Sequence, residues 1–105
     1  MSLTSFKIKD LLLKLISNDN ALRAIGKQTI TASGTAQRLT VPTGAVYAQV
    51  TVSGGTIRYW LDGSTPTSTQ GLSSTAFDIS GTQNILDFKF IELTATAVVQ
   101  VQFFG

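Results

Sequence analysis

Neither cysteine nor histidine occurs in the 105 residues. Without cysteine there is no disulfide framework and no thiolate metal site. Without either residue the usual zinc sites, the Ser-His-Asp and Cys-His nucleophile systems and the commonest general base near neutral pH are excluded. Charge is scarce as well, at 13% of residues against 43% hydrophobic, which argues for a packed chain with a Ser-, Thr-, Gln- and Gly-rich surface. The acids are Asp10, Asp19, Asp62, Asp78, Asp87 and Glu92. Nothing in their spacing pairs two of them for glycoside hydrolysis or builds a DxDxDG-like calcium loop. No GxxxxGK[ST] or GxGxxG is present, so Gly54-Gly55 and Gly63 read as turn residues rather than phosphate cradles. No apolar run approaches the roughly 18 to 20 residues of a membrane span, and a secretory leader pattern is missing. The expectation is a soluble, non-enzymatic chain made in the cytoplasm, with no catalytic residue, no cofactor and no metal.

The net charge of +2 is local in origin. Lys7, Lys9, Lys14, Arg23 and Lys27 outnumber Asp10 and Asp19 in residues 1–27, whereas the remainder is slightly acidic. Five bases without interleaved aromatics make a thin footprint for nucleic acid, and a solvated helix face accounts for them better.

From Thr4 to about Ile16 the apolar residues recur with helical spacing. Ile8, Leu11, Leu12, Leu15 and Ile16 fall within an arc of roughly 140°, with Thr4 or Ser5 to cap the start and Ser17-Asn18-Asp19-Asn20 to interrupt it. Phe6 and Leu13 lie opposite that stripe, where they are free to meet a second chain. A short second turn, Ala21 to Ile25, is expected to stop at Gly26. Beyond Gly26 the period becomes alternating and Thr, Val, Ile and aromatics replace Leu and Lys. This divides the chain into an N-terminal helical docking segment, 1–27, and a β domain, 28–105.

Strands are expected at Gln28 to Ala32, Gln37 to Val41, Ala76 to Ile79, Asn84 to Phe90, Ile91 to Thr94 and Val98 to Phe104. The strongest signal is Val46 to Leu61, where two alternating runs flank Gly54-Gly55. A two-residue hairpin there pairs Val52 with Ile57 and Val50 with Tyr59 on one face, and Thr51 with Arg58 and Gln49 with Trp60 on the other. Tyr47, Arg58 and Trp60 then share the outer face, a composition enriched in binding hot spots, although a Trp is as often simply buried. Asp62 to Gly71 (DGSTPTSTQG) reads as a surface loop at the far end of that hairpin. About seven short strands with turn signals between them predict a mainly β, antiparallel sandwich or jelly-roll-like barrel preceded by an amphipathic helix.

Val50-Thr51-Val52, Gly54-Gly55, Ile57 to Gly63, Pro66-Thr67 and Gly71, followed by Phe88 to Ile91 and Val99 to Phe104, resemble small virion proteins of tailed bacteriophages. The likeness covers roughly residues 28–105 and lies in a hairpin leading through a D-G-x-x-P-T loop to closing strands. It carries no catalytic residue, and residues 1–27 depart from it. The resemblance implies a head decoration, head-fibre base, or neck or tail adaptor protein. Such a protein resides in the virion, is present in multiple copies as a homo-oligomer, and contacts a major capsid or connector protein. Phe6, Leu13, Tyr47, Arg58 and Trp60 are the expected interface residues. The competing expectation is a carbohydrate-binding, host-attachment module in which Trp60 and Tyr47 stack on sugar rings. Neither reading calls for a membrane or nucleic acid partner.

Overall fold

The structure, a computed structural model, describes residues 22–94 and 96–105. The expected helix from Thr4 to Ile16, with Phe6 and Leu13, lies outside the described residues. Seven strands and one short helix follow: β1 (Ala24–Thr31), β2 (Gln37–Arg38), β3 (Tyr47–Ser53), β4 (Ile57–Trp60), β5 (Ala76–Ser80), α1 (Thr82–Asp87), β6 (Lys89–Glu92) and β7 (Val98–Phe104). They form two sheets, in the orders β1-β7-β3-β5 and β2-β6-β4, and every pairing is antiparallel.

Alternation decides what each strand buries. Ala48, Val50 and Val52 of β3 and Val99, Val101 and Phe103 of β7 point to one side, and Ile57 and Tyr59 of β4 and Phe90 of β6 meet them in a single apolar cluster. Tyr59 stacks on Phe77 of β5 with ring centroids 4.2 Å apart, so an aromatic pair ties the two sheets together.

Four expectations are corrected. β3 and β4 are not a hairpin. Both edges of β3 are taken, by β5 and β7, while β4 pairs with β6 in the other sheet. The Gly54-Gly55 segment therefore carries the chain from one sheet to the other. Alternation cannot distinguish these cases, because Val50, Val52, Ile57 and Tyr59 face the same core whether their strands are neighbours or lie in opposed sheets. Gly54 has φ 76°, and a Cβ there would lie 2.7 Å from the Thr96 carbonyl oxygen, so the crossing depends on a residue without a side chain. The Thr56 amide, 2.8 Å from the Thr94 hydroxyl, and the Leu93 amide, 2.8 Å from the Thr56 carbonyl, fix its far side.

The second correction concerns Ala21 to Ile25. Ala24 and Ile25 belong to β1, and reciprocal bonds between Arg23 and Gly105 extend its pairing with the C-terminal strand. Gly26 is not a helix stop. It stands opposite Phe103, with the Pro42 ring 3.3 Å from where a Cβ would sit, and the register slips there so that Ile25 is the extra residue. Third, Asn84 to Asp87 is helical rather than extended. Ile85 and Phe88, three apart, are both fully buried while Leu86 is 43% exposed, which is the burial rhythm of a helix turn. The Asn84 side-chain amide donates to the Ser80 carbonyl at 2.9 Å and the Ile85 amide to the Gly81 carbonyl at 3.2 Å. The expected strand Gln37 to Val41 shrinks to Gln37–Arg38, with Leu39 and Val41 half-buried against the core.

Candidate functional site

Two surfaces stand out, one on each sheet. The first is built around β4. Ile57 and Tyr59 are buried, so Arg58 and Trp60 point away from the core, and Trp60 stands opposite Lys89 of β6. Arg58 is occupied by its own chain. Its Nε donates to the Ser68 carbonyl at 3.1 Å and its Nη1 to the Gly71 carbonyl at 2.9 Å, which pins the Asp62–Gly71 loop against the strand.

That loop is organised by short polar side chains. The Asp62 carboxylate accepts from the Ser64 amide at 3.0 Å, which holds its pKa below the usual aspartate value. The Thr67 hydroxyl accepts from the Thr69 and Gln70 amides, at 3.3 Å and 3.0 Å. Pro66 is buried, the Lys89 amine reaches the Thr65 hydroxyl at 3.1 Å, and mutual backbone bonds at 2.9 Å join Leu72 to Tyr59 where the loop closes. Asp62-Gly63 and Pro66-Thr67 thus specify a fixed shape through turn chemistry.

The second surface is the outward face of the four-stranded sheet. Register sets Asp78, Gln49, Gln102 and Lys27 side by side across β5, β3, β7 and β1. The next row holds Thr51, Gln100 and Thr29. A groove of about 560 Å³ runs over the β1, β7 and β3 positions of both rows. On the other side of the Gln49–Gln102 row, Tyr47 and Phe104 are adjacent with ring centroids 5.6 Å apart, and the Tyr47 hydroxyl donates to the Asp78 carboxylate.

Tyr47 is therefore separated from Arg58 and Trp60. The three were expected together on one hairpin face. Assigning β4 to the other sheet puts Tyr47 on the four-stranded sheet's face turned from the core and Arg58 and Trp60 on the three-stranded sheet's face turned from the core. The expected Thr51–Arg58 and Gln49–Trp60 pairs fall for the same reason. Sequence reasoning missed the Gln49, Gln102 and Lys27 row, although each strand showed its polar alternation separately. What was lacking was the β1-β7-β3 order that aligns them.

Among the described residues no three His, Cys, Asp or Glu side chains gather as a metal site would require, and no helix is long and apolar enough to cross a membrane. No family model, curated protein or solved structure matches the chain.

The Tyr47–Asp78 bond has a pH signature. The bond to Asp78, with burial and the carboxylate's charge adding to it, raises the Tyr47 pKa above its ordinary 10.0. The bond's stabilisation is thus complete below pH 10.0 and is lost as pH rises through the folded-state value. Tyr47→Phe is expected to cost up to about 1 kcal/mol at pH 7 and to flatten stability in the alkaline range. Urea midpoints of both proteins from pH 7 upward check this; an unchanged alkaline slope in Tyr47→Phe contradicts it.

Proposed function

We propose that this chain is a structural protein of a tailed-bacteriophage particle, a capsid decoration or minor head or connector component present in multiple copies, and that its two sheets are the layers of a β-sandwich. One observation carries the reading. The D-G-x-x-P-T segment that resembles phage virion proteins is a loop fixed in shape by Arg58, Asp62, Thr67 and Lys89. A loop of set shape, held against β4 and rich in hydroxyls, suits a protein–protein contact better than turnover, because recognition by shape loses little entropy when the shape is already set. In this reading Trp60, beside the loop's base, and Phe6 and Leu13 in the N-terminal segment meet the neighbouring virion protein, and the chain works in the virion after synthesis in a bacterial cytoplasm.

The decisive experiment is to look for this chain in the density and in the protein content of intact purified particles. Stoichiometric presence is expected, and absence overturns the proposal. Trp60→Ala tests the contact residue. Trp60 is only half-buried and outside the shared cluster, so the substitution is expected to lower particle incorporation severely while costing about 1 kcal/mol of stability, far less than emptying a core aromatic site. A loss of several kcal/mol would make it a packing residue.

A further inference from the structure

We propose that the outward face of the four-stranded sheet is a binding groove for a neutral oligosaccharide, with Gln49, Gln100 and Gln102 as the recognising side chains. This is independent of where the chain resides, and it moves sugar recognition from Trp60 to the opposite side of the domain.

The chemistry of the lining selects the ligand class. The central positions of the groove, Gln49, Thr51, Gln100 and Gln102, are amides and hydroxyls. The charged side chain that lines it, Lys27, stands at the margin on β1, and Asp78 of β5 lies beside Gln49 outside the lining. A nucleic acid or acidic glycan needs a row of cations along its backbone, and an apolar peptide needs a hydrophobic floor. A neutral sugar needs neither. Its neighbouring hydroxyls each donate and accept, and a primary amide offers both functions from one planar group. The groove volume of about 560 Å³ falls inside the roughly 300–1,000 Å³ usual for small-molecule sites.

Geometry adds two points. Strands about 4.8 Å apart present Gln49, Gln102 and Lys27 as a ladder that steps across the sheet at a spacing comparable to the repeat of an extended glycan. Gln102 is also positioned in advance, since its amide nitrogen donates to the Gly26 carbonyl at 2.8 Å, leaving its oxygen and second N–H for a ligand. At the groove's end, Tyr47 and Phe104 expose ring surface on the same face, suited to the C–H side of a pyranose.

The test is amide chemical-shift titration of the full chain with maltohexaose, cellohexaose and chitohexaose, with hyaluronan as the acidic comparison. Saturable shifts confined to β1, β3 and β7 are expected with at least one neutral hexasaccharide and not with hyaluronan. A Gln49→Ala, Gln100→Ala double variant, both positions exposed, should weaken that binding by roughly tenfold or more, with its thermal midpoint and spectrum otherwise intact. If the double variant is instead destabilised, Gln100→Ala, at an exposed position, must produce the weakening without loss of fold. The proposal is overturned if no neutral sugar shifts these strands, if Trp60→Ala rather than the glutamine changes abolishes binding, or if the same shifts appear on raising protein concentration alone, which would assign the face to a second copy of the chain.

Discussion

Replacing Phe88 by Ala should cost the domain about 3–5 kcal/mol. Phe88 is fully buried, and its ring contacts three others, with centroids 5.5 Å from Tyr59, 5.8 Å from Phe77 and 5.4 Å from Phe90. Those partners come from both sheets: Tyr59 and Phe90 from the three-stranded one, Phe77 from the four-stranded one. Removing the ring therefore empties a place where residues of both sheets meet. Collapse into the void is opposed by the backbone, because Phe88 sits between the last turn of α1 and β6 and cannot shift without dragging both. For a small domain with a total of roughly 5–15 kcal/mol, the variant should be marginal, with a sharply lower urea midpoint at an unchanged m-value. Phe88→Leu, which retains much of the volume, should recover a large part of the loss. A cost of Phe88→Ala below about 1 kcal/mol, the level of ordinary surface changes, would contradict the inter-sheet placement.

How far the sequence exposed this arrangement depends on which physical quantity each element expresses. Burial polarity was legible. The inward residues of β3 and β7, Val50, Val52, Val99, Val101 and Phe103, follow from period-two alternation alone, and the mainly β, antiparallel character follows from them. Partner choice was not legible. Val52, Gly54-Gly55 and Ile57 satisfy a hairpin and a sheet-to-sheet crossing equally, and what decides between them is the claim of β7 and β5 on the edges of β3, a long-range fact with no local mark. Ile85-Leu86 and Phe88-Phe90 misled through the same ambiguity, since a short helix running straight into a strand leaves an apolar pattern that neither period describes. The candidate surfaces divide in the same way. The loop from Asp62 was recognisable because turn chemistry is local. The Gln49–Gln102–Lys27 row required the strand order, and the supposed meeting of Tyr47 with Trp60 failed once β4 joined the other sheet.

Arg58→Ala should release the Asp62–Gly71 loop and cost about 1–3 kcal/mol. Its guanidinium bonds two separated points of the loop, the Ser68 and Gly71 carbonyls, at 3.1 Å and 2.9 Å. The Gly71 bond is partly buried, so truncation leaves a carbonyl with reduced access to water, and that desolvation makes up much of the cost. Packing adds to it. Gly71, at φ 138°, brings its backbone so close that a Cβ would lie 3.1 Å from the Arg58 Cβ and 3.3 Å from both the Pro66 Cβ and the Tyr59 amide; strand and loop are in direct contact around the arginine stem. Losing the fork should convert the loop from a segment held against β4 to a locally opening one, seen as faster hydrogen exchange at the Thr67, Gln70 and Leu72 amides while β3 and β7 keep their protection. Arg58→Lys should restore the charge without the effect, because a single ammonium lacks the planar fork that serves two carbonyls at once. Particle incorporation should then follow loop order, with Arg58→Lys resembling Arg58→Ala. Full loop protection in Arg58→Ala together with lost incorporation would mean instead that the guanidinium itself touches the partner, and the fixed loop would no longer explain the contact.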